Sequence, residues 1–133
     1  MVFDNSHPCN FRSGLVMKVT VVIPAKDEAE TIGSVMDSVQ GYADELIVVD
    51  GHSEDRTVEI ARDQGARVIF DGGMGKGDAV RTALREASGE ILVFIDADGS
   101  HDAADIPALV EPIVEDSEAA LEFYLFMSLI GIW

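Results

Sequence analysis

The stretch Glu90–Asp102, E-I-L-V-F-I-D-A-D-G-S-H-D, decides how this chain is read. Ile91 to Ile95 form an uninterrupted apolar run that stops at two carboxylates, Asp96 and Asp98. Such a run predicts a strand buried on both faces, as in a parallel sheet covered by helices. Acids at the carboxyl end of that strand stand where open α/β sheets bind ligands. Alternation along an extended backbone is expected to turn Asp96 and Asp98 to one side, within reach of one hard cation. The competing reading is a solvated loop that caps the next helix.

Working backward from that stretch, Lys18–Ile23 (K-V-T-V-V-I) is short and β-branched, and Pro24 is expected to stop it. Glu28–Gln40 spaces Ile32, Val35, Met36 and Val39 as a helix does, with acids in its first turn. Glu45–Val49 predicts a second buried strand ending at Asp50-Gly51. Ser53 is the expected N-cap of a helix running to about Gln64 and closed by Gly65. Arg67–Phe70 is a third strand, followed by the glycine-rich loop Asp71–Gly77. Asp78–Ala87 predicts a helix with Ala79, Val80, Ala83, Leu84 and Ala87 inward. Beyond the opening stretch, Asp102 starts a helix carrying Ile106, Leu109, Val110, Ile113 and Val114.

Strands and helices in strict alternation predict an α/β fold: an open, mainly parallel sheet with helices on both faces. Four loops then emerge at one edge, at Pro24–Glu28, Asp50–Ser53, Asp71–Lys76 and Asp96–Asp98. That convergence predicts a ligand site, and a nucleotide is the expected occupant.

The chain of 133 residues suits one domain, with 47% hydrophobic residues. A loose arm is expected over 1–16, the nucleotide-binding domain over 17–116, and an apolar tail over 117–133. Met17 stands directly before the first strand and is the expected natural start. The net charge of −16 argues against nucleic acid as a partner, because phosphate backbones would be repelled. The single Cys9 leaves no intrachain disulfide and fits a reducing compartment, the cytoplasm. Phe123–Trp133 is shorter than the roughly 20 residues of a membrane span, so no transmembrane segment is expected. The same tail is a patch suited to peripheral membrane contact or to a homo-oligomer.

Asp96-Ala97-Asp98 has the chemistry to hold Mg²⁺ or Mn²⁺ against a diphosphate. Asp50 can accept from a base or ribose, or it can serve a turn and cap. Gly72–Gly77 surrounds Lys76 with backbone amides suited to phosphate, or forms a flexible connection. It is no Walker A loop, because Gly77 follows the lysine where serine or threonine is needed. His52 and His101 border the site with no nucleophile to serve.

In order, V-V-I-P-A-K-D-E, E-L-I-V-V-D-G-H-S-E-D-R-T, G-M-G-K-G-D-A-V and F-I-D-A-D-G-S-H-D resemble the nucleotide-binding half of family 2 glycosyltransferases, which have the GT-A fold. Within the family the chain is most similar to polyprenyl (dolichyl) phosphate mannose or glucose synthases, with glucosyl-phosphoglycerate synthases close behind. The resemblance implies that Pro24, Ala25 and Glu28 line the base pocket and that Asp50 contacts base or ribose. It places Lys76 near the donor phosphates and Asp96, Ala97 and Asp98 at the metal and diphosphate. The implied reaction transfers a hexose from UDP-glucose or GDP-mannose to an acceptor such as a polyprenyl phosphate, at the inner face of the membrane. Two departures stand out: Asp27 where the family has asparagine, and no resemblance after Ser117. The acceptor-binding strands and the catalytic base are therefore expected to be missing. The rival readings are a non-catalytic nucleotide-sugar-binding module, a sugar-phosphate nucleotidyltransferase, and an assembly protein driven by the tail.

Overall fold

The computed structural model describes residues 17–115. The expected arm over 1–16 and the apolar tail over 117–133 lie outside the described residues. The elements are β1 (Val19–Ala25), α1 (Ile32–Val39), β2 (Glu45–Asp50), α2 (Thr57–Asp63), β3 (Arg67–Phe70), α3 (Lys76–Glu86), β4 (Ile91–Phe94) and α4 (Ile106–Glu115). Short 3₁₀ turns at Gln40–Tyr42 and Ala103–Asp105 follow α1 and precede α4.

The four strands form one parallel sheet in the order β3-β2-β1-β4. The chain steps outward from β1 to β3, then crosses back to the other side of β1. Right-handed crossovers in opposite directions place their helices on opposite faces. The core divides accordingly. Val19, Val21, Ile23 and Ala25 of β1 pack with Ile32, Met36, Ile106 and Val110, from α1 and α4. Val22 of the same strand joins Ile47, Val49 and Phe94 against Ala79 and Ala83 of α3. Strand β1 is thus buried on both faces, and full burial of each such aliphatic side chain contributes about 1.5–3 kcal/mol.

Several boundaries differ from the sequence expectation, each for a local reason. Pro24 does not stop β1, which pairs with β2 as far as Ala25 opposite Asp50. The Val22 carbonyl accepts from Ile95 N–H on the β4 side, and the Ala25 carbonyl accepts from Gly51 N–H on the β2 side. Pro24 shares the orientation of Val22, and pairing with β4 ends at Val22 opposite Phe94. The proline therefore removes no ladder donor.

Helix α1 starts at Ile32 rather than Glu28, and α2 at Thr57 rather than beside Ser53. The preceding residues are occupied in joining two loops. Asp27 N–H donates to Ser53 Oγ at 2.8 Å, and Glu54 N–H donates to Asp27 Oδ1 at 2.7 Å. Glu28 N–H donates to Thr57 Oγ1 at 2.9 Å, and Ala29 N–H to Asp55 Oδ2 at 3.1 Å. Ser53 is accordingly no N-cap. Gly65 does close α2, at φ +89°, where a side chain would be strained. Leu84, expected inward, is half exposed, while Ala79 and Ala83 carry the buried stripe of α3.

The opposite end of the sheet is tied by a polar knot. Thr20, fully buried, donates to Glu45 Oε1 at 3.0 Å, and Gly89 N–H donates to Thr20 Oγ1 at 3.0 Å. Ser88 N–H reaches the same Glu45 oxygen at 2.9 Å, and Arg67 approaches Glu45 Oε2 at 3.8 Å. Burial raises the Glu45 pKa, but hydrogen bonds from Ser88 and Thr20, with the Arg67 charge, bring it below the ordinary value. Among the described residues, no helix is long and apolar enough to cross a membrane.

Candidate functional site

A cleft of about 300 Å³ opens at the carboxyl ends of the strands. Its walls include Pro24 and Ala25 at the end of β1, Lys26 and Glu28 after it, and Asp96, Ala97 and Asp98 after β4. Gly51 follows β2, and Asp71, Gly73 and Gly75 follow β3, so all four loops contribute. Strands β1 and β4 flank the point where strand order reverses, the crevice in which α/β sheets place ligands.

The two acids reach this cleft by a different route from the expected one. Strand β4 ends at Phe94, and Ala97-Asp98 form a turn. Strand alternation therefore does not align Asp96 with Asp98; the turn brings both to the cleft. Ala97 is buried, and its carbonyl accepts from Thr31 Oγ1 at 2.7 Å. Thr31 is the N-cap residue of α1 but makes no side-chain cap, because its hydroxyl serves this turn. Asp98 Oδ1 accepts from Ser100 N–H at 2.9 Å, and Asp96 Oδ2 lies 3.3 Å from His101 Nε2. The Ser100 hydroxyl first, then its N–H, hold Asp98 below the usual carboxylate range, against a small desolvation effect. Asp98 is consequently a carboxylate at neutral pH.

Lys76 is the first residue of α3, so the glycine loop ends earlier than expected and delivers this residue to a helix N-terminus. Asp78 in that first turn accepts from Gly72 N–H, folding the loop back on the helix. Asp50 does not line the cleft. It is fully buried, and its Oδ2 and Oδ1 accept from Ser53 N–H at 2.8 Å and Ser53 Oγ at 2.6 Å.

The structure adds residues that sequence reasoning passed over. Lys26 and Asp71 line the cleft, Thr31 holds the acidic turn, and Asp55 and Thr57 join the loops after β1 and β2. The hydroxyl of Thr57 donates to Asp55 and is the largest influence lowering the Asp55 pKa; the N–H groups of Thr57 and Ala29 add to it. Lys26 and Asp71 carried a signal, since each stands in a loop directly after a strand. Thr31 and Thr57 carried none, because their partners lie 66 and 29 residues away.

The donor chemistry fits a divalent cation shared with a ligand. Among the described residues, no cluster of three or more His, Cys, Asp or Glu side chains is set to enclose a metal. Two carboxylates remain, and Mg²⁺-type ions are commonly held by one or two carboxylates together with ligand phosphates. The cleft is rimmed by Glu28, Asp71, Asp96 and Asp98, with Lys26 as the basic side chain among its described lining. An anionic diphosphate entering that field needs a bridging cation.

An open parallel sheet with an acid-rimmed cleft at its switch point places the chain in the class of α/β nucleotide-binding folds to which the GT-A glycosyltransferases belong. The chain belongs to glycosyl transferase family 2, whose family model matches residues 20–125. It is 37% identical over 100 residues to the glycosyltransferase AglJ of Haloferax volcanii, covering 73% of this chain and 33% of that protein. It is 34% identical over 114 residues to the dolichol-phosphate mannosyltransferase of Pyrococcus furiosus, covering 79% of this chain and 32% of that one. The structure superposes on glucosyl-3-phosphoglycerate synthase of Mycobacterium tuberculosis in complex with UDP, with a TM-score of 0.69 and 37% identity. That match covers 75% of this chain and 41% of the other. The same enzyme with Mn²⁺, UDP-glucose and phosphoglyceric acid gives a TM-score of 0.67 at 38% identity, covering 74% and 40%. The chain therefore spans about a third to two fifths of the length of these relatives.

Proposed function

We propose that this chain binds a nucleotide sugar, UDP-glucose or GDP-mannose, through a divalent cation, for hexose transfer to an acceptor such as a polyprenyl phosphate. The observation that carries the reading is the cleft itself. It joins the loop after β1 and the acidic turn after β4 at the switch point, and rims them with carboxylates. Asp96 and Asp98 would hold Mg²⁺ or Mn²⁺, and the metal would neutralise the diphosphate as it leaves. Pro24, Ala25 and Glu28 form the wall on which the nucleoside lies, and Asp50 supports that wall from behind through Ser53. Lys76, at the N-terminus of α3, stands where a helix end favours phosphate. The Mn²⁺, UDP and UDP-glucose bound by the mycobacterial enzyme support a metal-dependent donor site of this kind.

The test is transfer from radiolabelled UDP-glucose or GDP-mannose, with Mn²⁺ and a polyprenyl phosphate, by the full chain. Labelled lipid-linked hexose, absent with EDTA, is the expected result. Intact donor recovered beside demonstrable donor binding would identify a binding module without transfer. Absence of both product and donor binding would contradict the reading.

A further inference from the structure

Asp71 and His52 have no part in the function as stated so far, yet they form one unit at the β3 end of the cleft. Asp71 follows β3 directly and lines the cleft, with its side chain only 9% exposed. Its Oδ1 accepts from Gly73 N–H at 2.8 Å. Its Oδ2 stands beside Gly51, another cleft residue, where a Cβ would lie 3.5 Å from that oxygen. Among the described side chains none donates to Oδ2, which leaves it to accept from a ligand.

His52 holds this arrangement. Its Nε2 lies 2.8 Å from the Asp71 carbonyl oxygen and 3.7 Å from Oδ1. A carbonyl only accepts, so Nε2 carries the proton in this contact. The ring tilts against Phe70 at 6.0 Å between centroids, and Arg62 stands 6.0 Å from the Phe70 centroid on the other element. His52 adopts φ +64°, a conformation that is uncommon outside glycine. Such backbone persists where the surroundings fix it, and it concentrates at ligand sites.

Position decides what Asp71 meets. Asp96 and Asp98 stand at β4, and Asp71 at β3, three strand spacings away or roughly 14 Å. With metal and diphosphate at the first end, the nucleoside extends toward the second. A carboxylate there repels phosphate and favours a neutral N–H donor. We propose that Asp71, positioned by His52, is a specificity-determining residue that accepts the ring N–H of the nucleotide base. Uracil and guanine carry that N–H at neutral pH. Cytosine and adenine present an unprotonated ring nitrogen instead, which a carboxylate repels. The proposal deepens the donor-binding reading and rests on it.

The experiment measures binding of UDP, GDP, CDP and ADP, each with Mn²⁺, to the full chain by calorimetry. Pyrophosphate with Mn²⁺ serves as the probe that lacks a base. Wild-type protein is expected to favour UDP or GDP over CDP and ADP by about tenfold or more, the scale of one hydrogen bond to a charged group. D71N should collapse that ratio toward one without weakening pyrophosphate binding, because it removes a negative charge from the cleft rim. H52G, which suits the positive φ, should reduce the ratio less than D71N does. Unaltered base ranking in D71N would overturn the proposal, as would loss of pyrophosphate binding in that variant. No binding of any diphosphate to wild type would instead overturn the donor-binding reading and this proposal with it.

Discussion

At the residue scale, Gly89 and Glu45, at the opposite end of the sheet from the cleft, contribute to the stability of its frame. A Cβ at Gly89 would lie 2.8 Å from Thr20 N and 3.0 Å from the Lys18 carbonyl, both backbone atoms at the start of β1. Neither can yield without separating β1 from the segment that leads into β4. G89A is expected to cost about 1–3 kcal/mol, the scale of overpacking, as measured by urea unfolding. Glu45, whose pKa is lowered in the folded state, contributes stability that is present above its unfolded value. That contribution is lost as pH falls through the folded value. Urea midpoints of wild type and E45Q should therefore differ most near neutrality and converge below the ordinary value of 4.5. A gap that widens in acid would contradict this account. None of these contacts was legible in the sequence, because Thr20, Glu45 and Gly89 meet only after three strands pair.

At the element scale, the existence and order of the strands and helices were legible, since each apolar run is bounded by a turn or a break in pattern. Arg67–Phe70 stands where its β-branched run predicted, and Gly65 closes α2 as its place after Gln64 implied. The starts of α1 and α2 were not legible. Local rules assign Glu28 and Ser53 to helix ends, whereas both residues lie in loops that bond to each other across 26 to 29 residues. Pro24 misled for a similar reason, as its harmless place opposite the end of β4 depends on tertiary register. The joined loops make a prediction of their own. T57V removes the acceptor for Glu28 N–H and the donor to Asp55 from a fully buried site. It should cost about 1–3 kcal/mol and raise amide exchange at Glu28 and Ala29 above that of β1. Equal protection at those amides in the variant and wild type would contradict the clasp.

At the scale of the whole molecule, the reversal of strand order about β1 places the loop after β1 beside the turn after β4. Sequence order alone predicted four loops at one edge, and the structure gathers residues from all four around one cleft. What the sequence could not distinguish was lining from support. Asp50 ends β2 and Asp71 directly follows β3, but the first is buried against Ser53 and the second lines the cleft. Acids prevail among the described residues around that cleft, and in the proposed reading a metal offsets most of the charge of a bound diphosphate. The most direct test of this claim is calorimetric titration with UDP-glucose and GDP-mannose, in Mn²⁺ and in EDTA, for wild type and D98A. The account predicts binding of one donor in Mn²⁺, with at least about tenfold loss in EDTA and in D98A. Donor binding of equal strength in all three conditions would contradict it.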